Sequence, residues 1–267
     1  MSESVRAIER ALDILLCFSQ AKPALSLTEI AEQVEMSKST VHRLLATLET
    51  KRFITRDKTT GLYHLGLRFI EIAPQVLQDI GLERWTFPYL QHLCAECGET
   101  VDLAALDGTQ VIYLQVIESP QRVKIAAAVG QRLPIHCTAS GKAFLAFMPE
   151  EQVRDLVQEG LTRYTDNTKD SPASLFEDLR ATCERGFAMS EQEYEQDINA
   201  VAAPVLDSIG QPVLTIAVVG PSFRLSKERM LVLGQSIRAT VDAIIRDVGP
   251  SALSRLVSNA VQLSQKG

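Results

Sequence analysis

Two short runs carry residue types that could do chemistry. In the first, SKSTVHR from Ser37 to Arg43, the residues Lys38, Ser39, Thr40, His42 and Arg43 set hydrogen-bond donors and cations side by side, with no acid before Glu49. At the start of a helix such side chains read base edges and hold phosphates, because the N-terminus adds free N–H groups and the positive end of the dipole. In the second, TASGKA from Thr138 to Ala143, a polar turn leads into an apolar helix. The N–H groups near Ala139, Ser140 and Gly141 are then without helical acceptors and suit a carboxylate, with the Ser140 hydroxyl beside them. A capping turn with no ligand uses the same residues. Lys142 reads as structural, since a cation at a helix start opposes the dipole.

Other constellations fail on spacing. Cys94 and Cys97 form a CxxC after His92, but no second pair completes a zinc site, and cysteines at i and i+3 of a helix are commonly core residues. SGKA lacks a phosphate loop's first glycine, because His136 stands there, and Ala143 replaces its Ser or Thr. His136 and Cys137 are adjacent, which seldom presents both groups to one reacting atom. The acidic run SEQEYEQD reads as a solvated loop, although it could hold paired carboxylates. No metal, cofactor or catalytic residue is expected. A small-molecule enzyme built on the C-terminal α/β region is the alternative to a regulator.

The elements that must position the first run are legible in the first 66 residues. A helix over Val5–Ser19 places Ile8, Leu12, Leu15 and Leu16 on one face, and Pro23 ends it. Ser26 and Glu29 make a capping-box pair, after which Leu27, Ile30, Ala31 and Val34 follow at helical spacing. After the turn EMS, Ser37 caps a helix whose apolar residues are Val41, Leu44, Leu45 and Leu48. Two short helices across about three residues make a helix-turn-helix. A plain helical hairpin shares that pattern, but RFITRDKTTGLYHLG adds two strands, Phe53–Arg56 and Leu62–Leu65, about a turn ending in Gly61. Helix-turn-helix plus hairpin is a winged helix, with Lys51, Arg52, Arg56 and Lys58 placed to meet phosphates.

Charge agrees with that division. The first 66 residues hold 9 Lys and Arg against 8 Asp and Glu, whereas the rest hold 18 against 25. The chain of 267 residues is long enough for two domains, and 46% hydrophobic with 22% charged residues is globular composition. It contains no apolar run long enough to span a membrane, its N-terminus MSESVRAIER is charged with no apolar signal core, and its five cysteines show no disulfide framework. A reducing, cytoplasmic setting is expected.

Several segments in order resemble the IclR family of bacterial transcriptional regulators. VRAIERALDILLCF is similar to its first helix, LSLTEIAEQVEMSKSTVHRLLATLETKRFI to its helix-turn-helix, and YHLG to the end of its wing. LPIHCTASGKAFLA and GFAMSEQEYEQDINAVAAPVLDSIGQPVLTIAVVGPSFRL resemble two stretches of its ligand-binding domain. The resemblance implies an α+β protein: a winged helix-turn-helix, a linker helix, and a C-terminal α/β effector-binding domain related to GAF and profilin-like folds. It also implies a homodimer or a dimer of dimers (a homotetramer) on palindromic double-stranded DNA, responding to a small organic acid. Repression is the expected sign by the family's habit. Effector contacts would come from Thr138, Ala139, Ser140 and Gly141, from Ser190, and from the strands carrying Ala200, Ala217 and Val219. Where some members have small polar residues on those last strands this chain has Ala and Val, which points toward an aromatic or branched acid.

The expected boundaries are 1–66 for the DNA-binding domain, 67–83 for the linker, 84–249 for the effector domain and 250–267 for a tail. In the linker, Leu67, Ile70 and Leu77 form an apolar stripe that Pro74 interrupts. Packing on a partner subunit and packing on its own chain both fit it. Pro88 suits the first turn of a helix toward Cys97, with Gly98 as its stop. Strands follow on either side of Asp107-Gly108, then at VKIAAAV, FAMSE, AVAAPVL and PVLTIAVVG, with helices near 140–147, 149–159, 174–185 and 226–247.

Overall fold

The computed structural model describes residues 5–19, 22–69, 71–72, 82–158 and 160–249. Two compact units divide between Val76 and Leu77. The linker positions Ile70, Pro74 and Leu77 and the tail 250–267 lie outside the described residues.

In the first unit α1 (Arg6–Leu16) is followed by β1 (Ala24–Leu25), α2 (Leu27–Gln33), α3 (Lys38–Thr50), β2 (Ile54–Arg56) and β3 (Tyr63–Leu65). The capping box forms: the Ser26 N–H donates to Glu29 Oε2 at 2.7 Å, and the Glu29 N–H to Ser26 Oγ at 3.3 Å. Glu35, at φ 50°, turns the chain between α2 and α3, and the Met36 N–H closes the turn on the Ala31 carbonyl. Ile14, Leu25, Ile30, Val41, Leu45, Ile54 and Tyr63 make the core. β3 lies between β1 and β2, both antiparallel to it, so the wing is a three-stranded sheet rather than a hairpin alone.

The apolar face of α1 is only partly covered. Ile14 is its fully buried residue, whereas Ile8, Leu12 and Leu16 are 58%, 53% and 80% exposed. Helical spacing identifies an apolar stripe but not what covers it. Here Leu15 packs against the unit's core, whereas Ile8, Leu12 and Leu16, with Val5, face away from it.

The second unit runs α4 (Leu82–Cys97), β4 (Thr100–Asp107), β5 (Gln110–Ile117), β6 (Arg132–Pro134), α5 (Ala139–Phe147), α6 (Glu150–Leu156), α7 (Pro172–Arg185), β7 (Ala188–Glu191), β8 (Ile198–Leu206), β9 (Pro212–Pro221) and α8 (Lys227–Val248). The strands form one antiparallel sheet in the order β6-β5-β4-β9-β8-β7. Val101, Leu103, Val201, Ile216 and Val218 face α4 and α8 in the larger core. Residues at alternate positions turn to the other face, where α5 lies on a cluster of alanines, Ala139 and Ala143 against Ala188, Ala202 and Ala217.

Two expectations differ. VKIAAAV forms no strand; the edge strand is Arg132–Pro134, because Gly130, at φ 85°, turns the chain so that these residues face Gln110–Ile112. α4 begins at Leu82, so exposed Pro88 sits within the helix rather than in its first turn. Its missing N–H leaves the helix one backbone hydrogen bond short at that turn.

Candidate functional site

On α3, Ser37 caps the helix by accepting from the Thr40 N–H at 3.3 Å, and its hydroxyl also meets those of Ser39 and Thr40 at 3.0 and 2.9 Å. Val41 and Leu45 are buried, whereas Lys38, Ser39, His42, Arg43 and Thr47 are exposed and Thr40 is half-buried. The helix therefore has a closed apolar side and an open side of donors and cations. Lys51, Arg56 and Lys58 are exposed on and beside the wing. Arg56 is held there, its Nε donating to the Gly61 carbonyl at 3.3 Å and its guanidinium lying 5.4 Å from the Tyr63 ring centre. Arg52 is exposed as well, adopts φ 65° and pairs with Glu71 at 2.9 Å. A phosphate there competes with that carboxylate.

In the second unit, the ladder register builds a pocket between the sheet and the start of α5. Ser190 is opposite Ala200, Ala200 opposite Val219, and Ala217 opposite Asp102. All five line the pocket with Thr138, Ala139 and Ser140. The cavity measures about 50 Å³. That is room for roughly four waters or a short acid, against about 150 Å³ for a core cavity that holds benzene. Tyr113, Leu133 and Ile198 stand in its walls beside Ala217 and Val219, so an aromatic or branched acid would need these side chains to move.

Gly141 is the sequence candidate that does not line the pocket. Its N–H is taken by Thr138 Oγ1 at 3.2 Å, and the Lys142 N–H by the Thr138 carbonyl at 2.9 Å. Ala139 and Ser140 then keep the N–H groups without helical acceptors. Gly141 instead allows close approach: a Cβ there would lie 2.1 Å from the Ile135 carbonyl oxygen. Gly141→Ala is expected to push α5 off the sheet and cost about 1–3 kcal/mol. Urea unfolding followed at Trp85, the single tryptophan, checks this. Ser190 lines the pocket but already donates to the Cys137 carbonyl at 3.0 Å, so it offers a ligand its lone pairs.

The residue the sequence reading missed is Asp102. Its side chain is 1% exposed, and its Oδ1 has no hydrogen-bond partner. Burial pushes its carboxyl up to about 8, with the nearby Ser140 hydroxyl drawing it partly back. The available signal was an acid at an alternate position of an otherwise apolar strand. Beneath the pocket, Lys142 is completely buried, its Nζ donating to Asp178 Oδ2 at 2.5 Å, Glu193 Oε1 at 2.6 Å and the Met189 carbonyl at 2.6 Å. It ties α5 to α7, β7 and the segment that carries Tyr194. Glu193 is nevertheless raised above the usual carboxylate range by burial, which Lys142 opposes.

Cys94 and Cys97 pack in the core, where burial pushes the Cys97 thiol up to about 11, and His92 is exposed beside Glu96. His136 Nε2 donates to the Thr162 carbonyl at 2.9 Å.

Comparison with known proteins agrees with both units. Residues 7–58 match the IclR helix-turn-helix domain, and residues 74–246 match the C-terminal domain of bacterial transcriptional regulator IclR. The chain is 32% identical over 236 residues to the transcriptional repressor IclR of Escherichia coli, covering 87% of this chain and 86% of that one. It is similar to the crystal structure of an IclR transcriptional regulator from Alicyclobacillus acidocaldarius, with TM-score 0.80, 28% identity, and 92% and 100% coverage. It shares its fold with an IclR homologue from Microbacterium hydrocarbonoxydans complexed with 4-hydroxybenzoate, with TM-score 0.79, 22% identity, and 90% and 99% coverage. The helix-turn-helix model and the C-terminal model match the two units in order, and the chain belongs to the IclR family of bacterial DNA-binding transcriptional regulators.

Proposed function

We propose that this regulator is a repressor that grips a palindromic site as a dimer and changes that grip when a short organic acid enters the pocket under α5. The observation that carries the reading is the open side of α3, where Lys38, Ser39, His42 and Arg43 stand exposed over a buried apolar side. Ser39, Thr40 and Arg43 read base edges or the adjoining backbone, while Lys38, His42, Arg52, Arg56 and Lys58 add phosphate contacts. The exposed stripe of Val5, Ile8, Leu12 and Leu16 supports self-association, since an apolar helix face of this kind is ordinarily covered. Dimers or dimer pairs would set recognition helices in successive major grooves. Bacterial DNA places this work in the cytoplasm.

The acid reading rests on Ala139 and Ser140, whose N–H groups open at the positive end of α5, with Thr138, Ser190, Ala200, Ala217 and Val219 around them. An effector shifts DNA binding only through unequal affinity for two arrangements of the protein. Fluorescence anisotropy on DNA from upstream of the protein's own gene, against a scrambled fragment at one salt concentration, tests the reading. Selective binding that changes on adding acids supports it, and equal weak binding across promoters with and without acids overturns it. Arg43→Ala is expected to cost about 1–3 kcal/mol on the specific site and to relax its sequence preference. An equal loss on scrambled DNA would reassign Arg43 to the backbone.

A further inference from the structure

The pocket has an unusual charge balance for one that takes an anion. Its lining residues include no Lys, Arg or His. Lys142 is close by in sequence but spends its three donors on Asp178, Glu193 and the Met189 carbonyl. The titratable groups that do face the cavity are Asp102 from β4, Tyr113 from β5, Cys137 ahead of α5, and Tyr194 and Glu195 between β7 and β8. β8 and β9 add only Ile198, Ala200, Ala217 and Val219. Each titratable group there is neutral or negative, and one of them, Asp102, is buried with an oxygen that nothing satisfies.

We infer that Asp102 carries a proton into the effector complex, so that the acid is held as an anion between the N–H groups of Ala139 and Ser140 and the carboxyl hydrogen of Asp102. The inference rests on the pocket being the effector site and adds which group reads the acid and what regulates its binding. Two carboxylates in a cation-free cavity repel, whereas a carboxyl and a carboxylate share one hydrogen in a strong bond. The orphaned Oδ1 is then satisfied by the ligand rather than by the protein. The proton comes from solvent: below the Asp102 carboxyl's value of about 8 it is already in place, and above it each bound acid takes one up. Burial pushes the Cys137 thiol up to about 12 and raises Tyr113 and Tyr194 as well, so these do not mimic the transition. Acid binding therefore weakens in alkaline solution, and repression would respond to pH as well as to acid. The opposite occupancy is an ionised Asp102 paired with a ligand ammonium, which would make the pocket a receptor for amino acids.

Titration calorimetry on the full chain separates these cases, using acetate, propionate and lactate as probes and alanine as the ammonium-bearing counterpart of lactate. The expected result is that at least one acid binds and alanine does not. The wild-type affinity should fall about thirtyfold from pH 6.5 to pH 9.5. At pH 9 the buffer dependence of the heat should report close to one proton taken up per acid. Asp102→Asn, which keeps a donor but cannot titrate, should lose less than about threefold over the same range and take up no proton. Acid binding with no proton uptake, or an equal alkaline loss in Asp102→Asn, overturns the inference and leaves the acid pocket standing. Preferential binding of alanine overturns it in favour of an ionised Asp102. Failure of every acid at pH 6.5 overturns the acid pocket itself and the inference with it. The proton uptake is read on the wild-type protein, so the test does not depend on the variant.

Discussion

Replacing Lys142 with methionine is expected to destabilise the C-terminal unit by about 3–5 kcal/mol, the range for removing one partner of a buried ion cluster. Methionine fills much of the lysine's volume, so the loss is electrostatic rather than a cavity. Asp178 and Glu193, now held 2.5 and 2.6 Å from the ammonium, would lose the cation they share, leaving Asp178 only the longer pairing with Arg185 at 3.8 Å, and the Met189 carbonyl would lose its donor. Glu193 is already above the usual carboxylate range because burial outweighs the pull of Lys142. Without that pull its ionisation becomes harder still. The sign with pH follows: protonated carboxyls need no cation, so the penalty should shrink as pH falls and grow as pH rises above 4.5. Urea unfolding of both proteins across acidic to neutral pH reads this, and a pH-independent difference would point to packing instead. The acid affinity should fall as well, because the same ammonium holds the segment of Glu193, Tyr194 and Glu195 against the start of α5.

Asp102→Asn is expected to act in the opposite direction and stabilise the protein at neutral pH. An aspartate that ionises at 3.8 in the unfolded chain and at about 8 in the folded one costs stability between those values. In that window the folded state holds one more proton, so unfolding becomes easier as pH rises. At 1.36 kcal/mol per pH unit, the wild type should lose about 4 kcal/mol at pH 7 relative to pH 3.8 from this residue alone. Asparagine removes the loss. The variant should therefore match the wild type near pH 4 and exceed it increasingly toward pH 8, with no further gain beyond. A constant difference across that range would show that Asp102 already has a partner for its charge. A residue that destabilises the fold at working pH while lining its pocket is the usual exchange of stability for a binding group.

These two residues also mark the limit of what local pattern can reveal. Ser26 with Glu29, Ser37 ahead of Val41 and Leu45, and Gly98 and Gly186 after their helices all announced element ends correctly, because capping involves residues a few positions apart. Seven of the eight pocket candidates meet around one cavity because Ser190, Ala200, Val219, Ala217 and Asp102 are registered across the sheet. The exception, Gly141, was read for its N–H and turned out to be placed for its missing Cβ. Pro88 and VKIAAAV went the other way: a proline that starts many helices stands inside this one, and an apolar run without a pairing edge forms no strand.

Sequence by itself determined the helix-turn-helix, its capped recognition helix with an apolar and a polar side, the order of strands and helices that follow, and the polar turn at Thr138. Each depends on periodicity, caps and turns, which are set within about one or two turns of chain. Tertiary structure alone decided that Ile8, Leu12 and Leu16 of α1 face outward, that Arg52 is paired with Glu71, and that Lys142 is buried between carboxylates 36 and 51 residues away. It also decided that Asp102 lies under α5 with no cation within the pocket. The reason is physical: whether a charge is ionised and whether an apolar face is core depend on what other elements place against them, and that is a property of packing rather than of spacing.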